Sequence, residues 1–187
     1  VHSKKWSDEK KTAIKRRKMI GQQQGSKPYQ SIKKEWLKHS GKGSVAEMGY
    51  WDLEGVKYHV DGKYVVLDYS QKEKEVAEWL AKKFGVKVQI VPKVNYPLKV
   101  PTPDYLVNGE RFDLKEIEGV GKNVVDNNMR KSKRQANNFV LELEKSNIST
   151  KEVLQQLEII YRSGRRDVDT VIMKRGNSLI DIVQKRK

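Results

Sequence analysis

Apolar positions recur with a helical period in three stretches of this chain and with a two-residue period in several others. Over residues 72–84, Val76, Ala77, Leu80 and Phe84 form one stripe, and Gly85 follows as a stop signal, so a helix is expected there. Over residues 124–144, Val125, Met129, Ala136, Phe139, Val140 and Leu143 also fall on one stripe, which predicts a long helix. A third helix is expected over residues 149–161, opened by a capping box of Ser149 and Glu152. Residues 86–91 alternate as a strand and end at Pro92. Residues 168–173 and 179–183 read as a closing hairpin. Another hairpin is expected over residues 56–69, turning at Asp61-Gly62. The strongest turn signal is Asn108-Gly109, which suits a two-residue hairpin.

That turn fixes a register. Val107 then faces Glu110, Leu106 faces Arg111, Tyr105 faces Phe112, and Asp104 faces Asp113. Strand side chains alternate, so Tyr105, Val107, Phe112 and Leu114 form an apolar face, while Asp104, Asp113 and Lys115 share the other. Like charges directly opposite destabilise a strand pair, so two facing carboxylates need a reason. The order β-β-α-β-β-β-α-α-β-β indicates an α/β (α+β) fold, a mixed β-sheet flanked by helices. There is no internal repeat, and Gly119-Val-Gly-Lys-Asn reads as a loop without the full phosphate-loop pattern.

Before residue 45 the texture differs. Residues 1–44 hold 13 Lys and Arg against 3 Asp and Glu, two thirds of the chain's formal excess of +15. A helix is expected from Trp6 to Met19, a break over residues 21–28, a short helix over residues 31–37, and a linker over residues 39–44. The division is thus a basic N-terminal segment over residues 1–44 and a folded domain over 45–187. The segment is either a solvated tether or an arm that grips phosphates. Val1 stands where an initiator Met is expected, which suggests a piece of a longer chain.

Composition narrows the chemistry. The 187 residues are 36% hydrophobic and 34% charged, and none is Cys. Disulfides, thiol catalysis and cysteine-based zinc sites are excluded. No stretch approaches the roughly 20 apolar residues of a membrane span. The basic balance favours a polyanion partner. Only His2, His39 and His59 are present, without zinc-ligand spacing, and a His-led ribonuclease mechanism would rest on His59 alone. The aromatics Tyr50, Trp51, Tyr58, Tyr64 and Tyr69 suit either base stacking or strand packing.

Carboxylates with a nearby ammonium suit metal-dependent phosphodiester cleavage. Asp104 and Asp113 are candidate ligands, and Lys115 is placed to orient a water or neutralise a phosphate. Set against this is a plain solvated hairpin face, because Asp-x-Lys is a common string. The stripe of the 72–84 helix centres almost on Glu73, which makes it the candidate third carboxylate. Its alternative role is to favour the positive helix N-terminus, and Glu75 remains a rival. Gln135 flanks the stripe of the expected long helix after a basic run, either to contact a site water or substrate or to face solvent.

Taken together, Thr102-Pro-Asp104-Tyr-Leu and Phe-Asp113-Leu-Lys115-Glu, preceded by Lys72-Glu73-Lys-Glu-Val-Ala77 and Val88-Gln-Ile-Val-Pro92 and followed by Lys133-Arg-Gln135-Ala, resemble the PD-(D/E)XK nuclease superfamily. Within it, residues 56–187 are similar to the C-terminal tRNase toxin domains of contact-dependent growth inhibition proteins, the CdiA type, relatives of which also end phage head-protein fusions. The resemblance implies an αβββαβ core with extra hairpins and a divalent cation, Mg²⁺ or Mn²⁺ with Zn²⁺ as a further option. It also implies tRNA cleavage in the bacterial cytoplasm after delivery, and often a cognate immunity protein. By position it assigns the metal to Glu73, Asp104 and Asp113, and adds Lys115 and Gln135 to the catalytic set. Two other functions fit the same residues: a phage-borne DNA endonuclease of this superfamily, and a non-enzymatic basic nucleic-acid-binding module.

Overall fold

Continuous apolar runs build the middle of a mixed eight-stranded sheet, and the helices cover its two faces. The structure, a computed structural model, describes Lys11 and residues 26–187. The helix expected over residues 6–19 lies outside the described residues, Lys11 apart, and so does the start of the break that follows it.

In chain order the elements are β1 (Tyr29–Ser31), α1 (Lys33–Leu37), β2 (Ser44–Glu47), β3 (Tyr50–Leu53), β4 (Val56–His59), β5 (Val65–Val66), α2 (Gln71–Phe84), β6 (Lys87–Ile90), β7 (Lys93–Val94) and β8 (Tyr105–Val107). They continue with β9 (Glu110–Glu116), α3 (Val124–Arg130), β10 (Asn138–Glu142), α4 (Thr150–Ser163), β11 (Thr170–Arg175) and β12 (Ser178–Lys185). The sheet order is β1-β12-β11-β10-β9-β8-β6-β2. Strands β9, β10 and β11 are mutually parallel. The β8–β9 and β11–β12 pairs are antiparallel, as the expected hairpins require. Two small ribbons, β3–β4 and β5–β7, stand beside the sheet.

Helix α2 lays Val76, Leu80 and Phe84 on one face, against Val88, Tyr105, Phe112 and Val140. On the other face α3 and α4 pack Val125, Met129, Val153 and Leu157 against Phe139, Leu141 and Val171. Both long helices are capped, α2 by Ser70, a cap not expected from the sequence, and α4 by the expected box. Ser70 Oγ accepts the Glu73 N–H at 3.1 Å to start α2. Ser149 and Glu152 form the complete capping box of α4. Gly85 ends α2 with φ +63°, and a Cβ there would fall 1.8 Å from the His39 carbonyl oxygen. Conformation and close approach both require glycine.

The long helix expected over residues 124–144 is absent. The chain leaves the helix at Arg130, turns through residues 131–135, and enters β10, whose five residues are all buried. A strand covered on both faces reads as an unbroken apolar run, so Phe139-Val-Leu141 imitates one side of a helix. Asn138 supports the change of direction. Its amide nitrogen donates to the Arg111 carbonyl at 2.9 Å, and its oxygen accepts the Thr170 N–H at 3.0 Å.

The hairpin expected over residues 56–69 is also displaced. Strand β4 pairs with β3 across Glu54-Gly55, both at positive φ. Asp61 does make a turn, its Oδ1 accepting the N–H groups of Lys63, Tyr64 and Val65 at 2.7–2.9 Å. The strand that follows, β5, pairs instead with β7, Val66 opposite Lys93. Part of the basic N-terminal segment joins the sheet: Tyr29 pairs with Lys185, and Ile32 is buried in the core beneath α2.

Candidate functional site

The β8–β9 hairpin carries two of the expected carboxylates. Asn108 and Gly109 have φ of 49° and 85°, as a two-residue primed turn requires. The pairs Val107–Glu110, Leu106–Arg111 and Tyr105–Phe112 follow. Beyond the last pair, Asp104 and Asp113 lock together through the backbone. The Asp104 N–H donates to Asp113 Oδ1 at 2.9 Å, and the Leu114 N–H donates to Asp104 Oδ2 at 2.8 Å. Asp113 is only 2% exposed.

Glu73 joins them from the first turn of α2. The Tyr105 hydroxyl donates to the Glu73 carbonyl at 2.5 Å and holds that turn to the hairpin. Its carboxylate Oε2 is buried and has no hydrogen-bond partner. Burial, then the Asp104 charge, pushes the Glu73 carboxyl above its ordinary value, with Lys93 opposing. Burial and Asp104, in that order, also push Asp113 up, against the Ser132 hydroxyl, the Asp104 N–H and Lys115. Ser132 Oγ is buried beside Asp113, although no hydrogen bond of ordinary length and angle joins the two. Glu75, the rival acid, is exposed and faces Gln71, away from the pair.

A fourth group was not expected. Lys93 Nζ donates to Asp104 Oδ1 at 2.9 Å from the β5–β7 ribbon. Burial alone would lower its pKa, but Asp104, Glu73 and Asp113 outweigh that and raise it. Nothing in Pro92-Lys93-Val94 marks it as a site residue; the long-range strand pairing brings it there. Lys115 shares the β9 face of Asp113, alongside Leu141, and is half-buried. Among the described residues, no three His, Cys, Asp or Glu side chains are placed closely enough to hold a metal ion between them. Among the described residues, the one buried carboxylate oxygen without a hydrogen-bond partner is Glu73 Oε2.

The structure thus brings Glu73, Asp104, Asp113 and Lys115 to one place. Gln135 is separate. It lies in the turn after α3 rather than on a helix, lining a cleft of about 450 Å³ with Ser132. Of the aromatics, Trp51 is buried and donates to the Pro101 carbonyl at 3.1 Å, a packing role, whereas Tyr50 and Tyr64 are exposed. A second charged cluster sits on the α2 face of the sheet. Glu142 and Lys174, both buried, form an ion pair, and Lys72 reaches Glu142 at 3.5 Å and Glu144 at 3.1 Å. The Lys174 ammonium lies 4.8 Å from the Trp79 ring centroid.

No curated protein matches the chain. Among solved structures it is similar to the CdiA-CT/CdiI toxin and immunity complex from Burkholderia pseudomallei, with 23% identity over 75% of this chain and 99% of that one, and a TM-score of 0.49. Residues 101–179, which contain Asp104, Asp113, Lys115 and Gln135 but not Glu73 or Lys93, match the family model of the contact-dependent growth inhibition CdiA C-terminal domain.

Proposed function

We propose that this protein is a toxin domain of the contact-dependent growth inhibition type, a metal-dependent endonuclease of PD-(D/E)XK pattern that cuts phosphodiester bonds of tRNA. The observation that carries the reading is the carboxylate cluster: half-buried Asp104 and buried Asp113 held face to face, with a Glu73 oxygen buried and unpartnered beside them. Like charges at such proximity are costly unless a cation shares them. Asp104, Asp113 and Glu73, which are not close enough as they stand to enclose an ion, would draw together around the divalent cation, Mg²⁺ or Mn²⁺ before Zn²⁺. Bound there, it would act as a Lewis acid on the phosphate and lower the pKa of a water.

The remaining roles belong to the chain. Lys93 neutralises and orients Asp104. Lys115, on the Asp113 face, steadies the attacking water or the charge that grows on the phosphate. Gln135 contacts the substrate from the neighbouring cleft. The match over residues 101–179 supports the toxin assignment. A cognate immunity protein, and action in the cytoplasm of a target bacterium, belong to the same reading.

The test is cleavage of total RNA and of plasmid DNA with Mg²⁺, Mn²⁺ or EDTA. Loss of tRNA with either metal, absent in EDTA and in Asp113→Ala, supports the reading. Plasmid cutting with tRNA left intact transfers it to DNA. Cleavage that ignores EDTA sinks the mechanism, and binding without cleavage under every cation leaves a nucleic-acid-binding module.

A further inference from the structure

Beside the carboxylates, on the α3–α4 face of the sheet, opens the cleft of about 450 Å³ that Gln135 lines. Its connection to the acids is direct. Phe139, in its wall, is the β10 partner of Asp113 in the parallel ladder. Ser132, also in its wall, is the hydroxyl against the Asp113 carboxylate. Adjacent strands lie about 4.8 Å apart, so the cleft begins within one strand spacing of Asp113.

The walls are strongly cationic. Arg111, Lys133, Arg134, Arg165 and Arg166 line it against a single acid, Asp167. Arg166 is committed elsewhere, its guanidinium on the Asp126 carboxylate at 2.7 and 3.3 Å, which ties the loop after α4 to α3. Arg111 lies over the Trp51 ring, 5.0 Å from its centroid. Lys133, Arg134 and Arg165 form no ion pair among the described residues. Arg134 also has φ +70°, a conformation that L side chains other than Asn and Asp seldom adopt and that concentrates at functional sites. Three cations held near each other without partners repel one another, and the fold keeps them there.

We infer that this cleft grips the substrate strand, with successive backbone phosphates on Arg165, Lys133 and Arg134. The cations come from separate walls, the turn after α3 and the loop after α4, and so suit a chain of phosphates better than one small anion. The volume lies within the ~300–1,000 Å³ of ligand pockets. Next to buried carboxylates, a phosphodiester would be repelled without such cations. What the strand undergoes there rests on the nuclease reading; the grip itself is measured separately.

The experiment is fluorescence-anisotropy binding of labelled tRNA in EDTA, across a salt series, by the wild type, by K133E/R165E and by K151E. Lys151 is exposed at the far end of α4, 14 residues long and so about 20 Å away. The double variant is expected to bind at least ~10-fold more weakly, with a salt slope shallower by about two, one per lost phosphate contact. K151E is expected to stay within about twofold of the wild type. Should the reversals lower the melting temperature, K133Q/R165Q is judged by the same criterion. Unchanged affinity and slope in the double variant overturn the inference, and so does a wild type that binds polyglutamate but no nucleic acid. A responsive cleft with cleavage surviving in Asp113→Ala would instead overturn only the nuclease reading.

Discussion

Replacing Asp113 by Asn should stabilise the protein while abolishing the proposed activity. Asp113 is 2% exposed and faces Asp104 across the hairpin. Cross-strand Cβ atoms lie about 5 Å apart. At that separation and an effective dielectric of about 20, the two carboxylates repel by roughly 3 kcal/mol. Lys115, the Ser132 hydroxyl and the Asp104 N–H oppose this, yet burial and Asp104 win, because the Asp113 carboxyl is raised. Asn keeps an acceptor for the Asp104 N–H and offers its amide to Ser132 Oγ, which has no partner now. We expect a net gain of about 1 kcal/mol, or roughly 2–4 °C in Tm for a chain of this size. Thermal melts by circular dichroism in EDTA measure it. A Tm equal to or below that of the wild type would refute the claim that the site stores electrostatic strain.

Acidification should have the same origin and sign. Glu73 and Asp113 hold protons more tightly folded than unfolded, so stability falls as pH rises from the ordinary carboxylate value of about 4 through their raised values, and is level above them. The Tm advantage of a Glu73→Gln/Asp113→Asn double variant should therefore shrink as pH falls towards about 4, and an advantage that is constant with pH would contradict this. In the second cluster, Lys174→Met leaves buried Glu142 with the Glu144 and Gly176 N–H groups and, as its remaining cation, Lys72 at 3.5 Å, and should cost about 3 kcal/mol by urea denaturation. Adding Glu142→Leu should recover most of it; a single-variant cost below about 1 kcal/mol would show that Lys72 suffices. Lys115→Met should lower kcat for tRNA cleavage by about 10²-fold while tRNA binding in EDTA is unchanged, and a loss confined to binding would move Lys115 into the substrate grip.

Local chemistry made some of this legible in the sequence. Asn108-Gly109 determined the hairpin register, and with it the meeting of Asp104 and Asp113. Ser149-Glu152 marked the start of α4, and the apolar stripe of α2 pointed Glu73 inward. What stayed hidden depends on long-range pairing. Lys93 reaches Asp104 only because β7 pairs with β5 rather than extending β6. Strand β10 imitated a helix because both its faces are buried, and that error moved Gln135 onto a helix it does not occupy. The Glu142–Lys174 pair was invisible for the same reason, since it joins two buried strands whose neighbourhood no local pattern encodes.

We propose that Glu73, Asp104 and Asp113 form a cation site that works on phosphodiesters. Calorimetric titration of Mn²⁺ into the wild type, Glu73→Gln and Asp113→Asn tests it most directly, with tRNA cleavage followed in the same samples. One Mn²⁺ per chain is expected in the wild type, with binding at least ~10-fold weaker in each variant and cleavage that falls with it. Equal Mn²⁺ affinity in all three proteins, or cleavage that persists where binding is lost, would contradict it.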